Sequence, residues 1–452
     1  MRLRAPRQLK VTAALVAGLV SLPALLLLVF PRGRAAGLER LLSQVSLLQA
    51  FPAAPRLAVP EIWQQRLGPS LAQQVWGHQR LWWQFWAEHG GGGAYLALPM
   101  AALPESARTR LPANSLQVDD LLVLAPDPLS LRLLDGELRL RQRQSRGLDQ
   151  SCLRRLQQEQ AVYWNGAGLG AMAGPMAPLL QHVQQGCLTL AVEGDQLALS
   201  GEATATPGYL AGPQQRGDLP LPAPLGPSQL LEWRGPSLDP LLSALLARQL
   251  IRDPLAQRYG VGDSQLALLR QTPFVLSLRS LAKGPFQAGL TLQLAVGTHQ
   301  RQWSQVLMGW RQPLLDQGLS EGPPALQRPA AAIGSSQLPT ARWSREDGQV
   351  VGGWRWLQQG SGGPQLLLYL GPEPSSTSVS LPTAGSPSAR TPSASSPMQL
   401  RLRPRELAAL SLLPPELPQP VQRASQLAFT ASGQPRQPLS QLRGVLRWDR
   451  SP

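Results

Sequence analysis

The chain has 452 residues, 43% of them hydrophobic, and a formal net charge of +15 from 42 basic and 27 acidic side chains. That apolar content excludes a disordered chain and leaves room for two or three domains. Two cysteines with no C-x-x-C spacing exclude the common zinc modules.

The first element is an anchor. Val11 to Phe30 is twenty residues of uncharged, almost wholly apolar sequence. As a helix it spans about 30 Å, the hydrocarbon thickness of a bilayer. Arg2, Arg4, Arg7 and Lys10 precede it, and Arg32, Arg34 and Arg40 follow with Glu39. The positive-inside rule then places residues 1–10 in the cytoplasm and the bulk of the chain outside, in a periplasm or its equivalent. A cleaved signal peptide fits less well, because its apolar core is shorter and Pro31-Arg32-Gly33-Arg34 stands where small residues should. The bilayer is therefore the first expected partner.

After the anchor, residues 31–205 read as a first α+β region. Leu38, Leu41, Leu42, Val45 and Leu48 recur at helical spacing and predict an amphipathic helix that packs on the domain. Ser70-Leu-Ala-Gln73 has the form of a capping box and predicts a helix running to His89, stopped by Gly90 to Gly93. That helix would carry Trp76, Trp82, Trp83, Phe85 and Trp86 over a wide face, suited to burial or to a half-wet ligand cleft. Ala94–Leu98 and Val118–Ala125 read as strands. Leu129–Gln142 reads as a hairpin turning at Asp135-Gly136, which would set Arg132 opposite Arg139 with Arg143 along the same strand. This is the one basic cluster legible in the sequence.

Cys152 is expected on a short helix, Ser151–Gln160. Outside the cytoplasm it can pair with Cys187, closing a loop of about 36 residues. Gly166-Ala-Gly168-Leu-Gly170-Ala171 matches G-x-G-x-x-A in form only, since Pro175 and Pro178 interrupt the long helix a dinucleotide site needs. A loop is expected there. Cys187–Glu202 predicts a hairpin across Gly194-Asp195.

Residues 206–228 are dense in Pro and Gly and read as a linker. A second α+β domain is expected over 229–371. It contains a helix from Asp239 to Tyr259 kinked or ended by Pro254, and strands at Phe274–Leu278 and Leu290–Val296. A helix from Thr298 to about Gln317 follows, then a hairpin across Asp347-Gly348 with Trp343 opposite Gly352, and a strand at Gln365–Leu370. Residues 372–397 are Ser/Pro-rich and read as a disordered linker or loop insertion. Residues 398–452 predict strand, helix, strand, strand, a piece small enough that it should dock on the second domain.

The chemistry of known catalytic signatures is missing. G-x-S-x-G, P-loop, H-E-x-x-H and EF-hand patterns do not occur, and His78, His89, His182 and His299 lack ligand spacing. Asp119 and Asp120 are adjacent and would point to opposite faces of a strand. No cofactor or metal is expected. The sequence therefore predicts a membrane-anchored, non-catalytic scaffold or interaction module in a bacterial envelope or comparable membrane. The alternatives are a lipid- or amphiphile-binding protein using Trp76, Trp82, Trp83, Trp86, Arg132, Arg139 and Arg143, and an enzyme of unrecognised type. An anionic lipid or another membrane protein suits the first two readings. Nucleic acid does not, because the arginines are scattered along the chain.

Overall fold

The computed structural model describes residues 36–449 except 55, 89–92, 110, 141–146, 174–181, 207–209, 211–218, 240–241, 243–245, 247–248, 323–339, 360–362, 375–396, 414, 416, 418 and 434–437. The expected anchor at 11–30, His89, Arg143 and most of the Ser/Pro-rich stretch lie outside the described residues. Among the described residues no helix is long and apolar enough to cross a membrane.

The fold is mixed α+β, built on one 18-stranded sheet. In chain order the strands are β1 (Val45–Pro52), β2 (Leu81–Ala87), β3 (Tyr95–Pro99), β4 (Ser115–Val118), β5 (Leu121–Leu124), β6 (Ala161–Asn165), β7 (Val183–Glu193), β8 (Gln196–Ala205) and β9 (Gln229–Gly235). Then come β10 (Phe274–Ser280), β11 (Ala288–Ala295), β12 (Ser320–Gly322), β13 (Ala341–Ser344), β14 (Val350–Gln359), β15 (Gly363–Leu370), β16 (Met398–Leu402), β17 (Gln426–Gly433) and β18 (Leu439–Arg447). All described pairings are antiparallel. Followed from one edge to the other, the sheet runs β4, β5, β3, β2, β1, β6, β7, β8, β18, β17, β16, β9, β10, β11, β15, β14, β13, β12. The last three strands of the chain thus lie between β8 and β9. The C-terminal strands pair with β9 through β16 and with β8 through β18.

Opposed residues in an antiparallel ladder share a face, so register carries each face across the whole sheet. On the first face, Leu48 meets Phe85, which meets Tyr95; on its other side Leu48 meets Tyr163, which meets Cys187. This stretch is roofed by the helices Leu38–Leu42, Pro128–Leu140 and Leu148–Gln158, and Leu41, Leu134 and Leu156 fill the core beneath them. On the second face, Trp82, Leu96, Leu98, Leu122 and Leu124 pack under the helices Glu61–Leu67, Pro69–Trp76 and Glu105–Thr109. The N-terminal half is therefore three layers deep. Over β9–β15 the second face is again apolar: Phe274, Leu294, Leu366, Trp354 and Trp343 pack against Trp303 and Leu307 of the helix Gln300–Asp316. Trp343 does oppose Gly352, but the ring against bare backbone there is that of Tyr369, lying on Gly353.

Several expected elements come out differently. The Leu38–Leu48 helix stops at Leu42, and Val45 and Leu48 lie on β1. A bulge between Val45 and Leu47 returns Val45 to the face of Leu48, so all five residues are buried although the spacing is not helical throughout. The Trp-rich helix ends at Trp76. Its start is set by Gly68 and by Pro69 at the first turn, with no side-chain cap from Ser70. Leu81–Ala87 is β2, where Trp and Phe suit a pleated surface better than a helix.

The Leu129–Gln142 hairpin is a helix, Pro128–Leu140. Leu131, Leu134 and Leu138 repeat at helical spacing, and the Asp127 carboxylate accepts hydrogen bonds from the Ser130 amide and hydroxyl at 2.9 and 2.6 Å. Val118–Ala125 is broken by a tight turn at Asp119-Asp120. Asp119 has φ 54°, and its carboxylate accepts from the Gly37 amide at 2.6 Å. The G-x-G-x-x-A stretch is not a loop but the short helix Gly166–Ala173. A side chain at Gly168 would run into the Ser46 carbonyl, so glycine lets this helix lie against β1. The helix Gln249–Tyr259 continues past Pro254, and a further helix, Asp263–Arg270, follows it.

Candidate functional site

The tryptophans expected to share one helix face are divided between helix and strand. Trp76 and Trp82 join Trp63 and Phe51 in a solid aromatic cluster. Trp63 lies edge-on to Trp76 and Trp82 at 5.1 and 5.8 Å, and Phe51 stacks on Trp82 at 4.5 Å. Trp63 is fully buried, and Trp76 and Trp82 are buried with it. Trp83 points to the other face, where its indole N–H donates to the Leu156 carbonyl at 2.8 Å. Trp86 packs at the edge of a third cluster with Leu47 and Trp164. Arg132 and Arg139 stand exposed on the helix Pro128–Leu140, and Arg139 pairs with Asp135 one turn earlier. The structure thus does not bring the Trp and Arg candidates together, and it fills the aromatic region as core.

Cys152 and Cys187 are joined as a disulfide, with both residues fully buried and their Cα atoms 5.7 Å apart. The bridge ties the helix Leu148–Gln158 to β7 beneath the first face. Nearby, burial pushes the Asp149 carboxyl above its ordinary range. Burial likewise pushes up the Tyr163 hydroxyl, with the Asp149 charge adding to it.

The feature that sequence reading missed lies farther along the first face. Beyond β8 the same face changes character. Register places Gln399 beside Arg234, Arg401 beside Glu232, and Glu232 beside Ser277; Ser277 meets Thr291, Thr291 meets Tyr369, Tyr369 meets Gly353, and Gly353 meets Arg342. Arg279 and Arg355 stand on the same face of β10 and β14. Five arginines from five strands, spread over residues 234–401, are therefore collected on one surface with two carboxylates, Glu232 and Glu373.

Two poles can be distinguished. At the first, Glu232 on β9 is buried and accepts from the Arg234 Nε at 3.0 Å and from an Arg401 Nη. Burial alone would push its carboxyl up, but Arg234 and Arg401 outweigh that and hold it below the ordinary range. The same burial lowers the neighbouring Arg279 guanidinium, with Glu232 acting against the shift. At the second pole, Arg355 on β14 pairs with Glu373 at 3.6 Å, and Arg342 approaches from β13. Burial, helped by the Glu373 charge, pushes the Tyr369 hydroxyl up to about 12. The Nε atoms of Arg342, Arg355 and Arg401 are buried and meet no acceptor among the described residues. Between the poles, β11 presents Thr291 and Gln293, both half-buried.

A Pro-rich segment covers part of this face. Within residues 219–227, the carbonyls of Leu219, Pro220 and Ala223 accept from Arg443 at 3.0 Å, Thr430 at 3.2 Å and Arg401 at 2.7 Å. Leu219 and Leu225 are buried. What reads as a linker is, in its described part, a strap across β18, β17 and β16.

A separate open cleft of about 600 Å³ lies between the helices Gln249–Tyr259, Asp263–Arg270 and Gln300–Asp316. Gln257, Gln265, Gln302 and Gln305 line it, and Tyr259 accepts a hydrogen bond from Gln317 at 2.6 Å. Its amides donate and accept hydrogen bonds but do not titrate, so they supply no acid or base. Among the described residues no cluster of three His, Cys, Asp or Glu side chains is placed to hold a metal ion.

A signal for the arginine face was present in the sequence. Leu-Arg and Trp-Arg steps recur at Trp233-Arg234, Leu278-Arg279, Arg342-Trp343, Trp354-Arg355-Trp356 and Leu400-Arg401-Leu402. An arginine flanked by large apolar residues marks a strand with one apolar and one polar face. Comparisons with protein-family models, curated proteins and solved structures found no match.

Proposed function

We propose that this protein is a non-catalytic interaction module held at a membrane by residues 11–30, with the bulk of the chain extracytoplasmic, and that it works through the arginine-lined face of β9–β14. The observation that carries the reading is the convergence of Arg234, Arg279, Arg342, Arg355 and Arg401 on one face of the sheet, beside only two carboxylates, Glu232 and Glu373, among the described residues. The disulfide supports an oxidising compartment, which fits the expected orientation. The apolar length of 11–30 and the bases before it support an uncleaved anchor.

A photo-crosslinking side chain placed at Ser277, on the open face, should give adducts in intact cells. The same group at Met308, exposed on the opposite side, should not. Adducts of equal yield at both positions would remove the assignment of the working face. A C-terminal reporter active only in the cytoplasm would overturn the topology.

A further inference from the structure

Resting on the reading of β9–β14 as the working face, we infer that its partner is an acidic polysaccharide: a hydroxyl-rich chain carrying carboxylates at intervals. Charge comes first. Five guanidinium groups face two carboxylates across these strands, so the surface keeps a net positive charge. Of the segments outside the description that adjoin this region in sequence, 323–339 and 375–396 contain no Asp or Glu, and 211–218, which leads into the strap, contains one, Asp218. Even with Asp218 counted, the five arginines outnumber the carboxylates. Guanidinium groups are suited to carboxylate oxygens, to which they can donate in pairs.

Spacing comes second. Arg279 on β10 and Arg355 on β14 are three strand spacings apart across the sheet and four residues out of register along it, about 20 Å in all. A single small anion does not reach across that interval, whereas a chain with repeated charges does. The chemistry between the poles is the third argument. Thr291 and Gln293 offer a hydroxyl and an amide, which suit ring hydroxyls. Exposed large apolar side chains of the kind that anchor protein interfaces are absent from these positions, and Val275 and Leu367 on the same face are buried. An acidic protein would find charge here but no apolar pocket to fill.

The test is calorimetric titration of the full-length protein in neutral detergent with an oligogalacturonate of about ten sugars. Maltodextrin of equal length, poly-glutamate and phosphatidylglycerol micelles serve as comparison probes. The oligogalacturonate should bind, the affinity should fall as salt is raised, and maltodextrin should not bind. The double variant Arg342→Gln/Arg355→Gln should lose roughly tenfold or more in affinity. Arg139→Gln, on the roofing helix of the other half, should lose none. Near-UV circular dichroism and the thermal midpoint show whether the double variant is folded, and Arg342→Gln alone, which breaks no described ion pair, is the fallback.

Equal losses from Arg139→Gln would mean that net charge alone drives binding and would overturn the site. Tighter binding of poly-glutamate or of phosphatidylglycerol would overturn the partner class. If no polyanion binds but crosslinks from Ser277 persist, the polysaccharide assignment fails while the interaction reading stands.

Discussion

The first face of the sheet is one continuous surface with two opposite fates. Across β3, β2, β1, β6 and β7 it carries Tyr95, Phe85, Leu48, Tyr163 and Cys187, and three helices bury it. Across β16, β9, β10 and the strands beyond it carries Arg401, Glu232, Arg234, Ser277 and Arg279, and a Pro-rich strap crosses one end. Side chains alternate between the two faces of the sheet in both halves. What differs is the residue placed on the first-face positions, and that choice decides whether helices are needed as a roof. A sheet face made of arginine, serine and threonine satisfies itself with water, ions or a partner. One made of leucine and aromatics does not.

The contrast predicts unequal costs for mutation. The largest belongs to Trp63→Ala, which would empty the centre of the aromatic cluster under the second face. About 3–5 kcal/mol should be lost in urea unfolding at pH 7. Replacing both Cys152 and Cys187 with alanine should cost roughly 3–4 kcal/mol in the chain-entropy account, read by the same measurement. A loss below about 1 kcal/mol would show that the roof over the first face holds the N-terminal half without the bridge.

In the C-terminal half, Glu232→Gln leaves Arg234 and Arg401 as neighbouring cations with side chains only 16% and 14% exposed. A cost of about 2–3 kcal/mol is expected. Because the folded carboxyl lies below its ordinary range, its contribution is full above the unfolded value of about 4.3 and disappears as pH falls through the folded value. Wild type and Glu232→Gln should therefore differ at pH 7 and converge in strong acid. A gap that persists at low pH would point to packing rather than charge. The smaller effects sharpen the comparison further. Asp127→Ala, removing the cap of a roofing helix, should cost about 1 kcal/mol. Thr291→Ala on the unroofed face should stay within about 0.5 kcal/mol.

Much of the strand content was legible in the sequence because alternation is a local signal. The Gly194-Asp195 hairpin, the Asp347-Gly348 hairpin and the pairing of Trp343 with Gly352 can all be read from a dozen residues each. The errors arose where two periods fit the same letters. Leu131, Leu134 and Leu138 support a helix, Leu131 and Leu133 support a strand, and an Asp-Gly step tipped the reading the wrong way. The capping aspartate at 127 was the better evidence. At Leu81–Ala87 nearly every residue is apolar or aromatic, so no period is visible, and the breaker at Gly77 was given too little weight against Gly90 to Gly93.

The arginine face was hidden for a different reason. Its members are separated by tens of residues and meet only through strand order, which no local pattern encodes. The charge that looked dispersed in the sequence is dispersed only along the chain.

The position of β16–β18 has a consequence for the order of assembly. β8 and β9 follow one another in the chain but never touch, since the final strands occupy the gap between them. During synthesis both strands emerge early and wait with bare edges until β16–β18 have followed. The sheet is therefore sealed by strands made well after the two that they join. A message truncated shortly before residue 398 would yield two half-sheets with exposed edges rather than a slightly shorter protein.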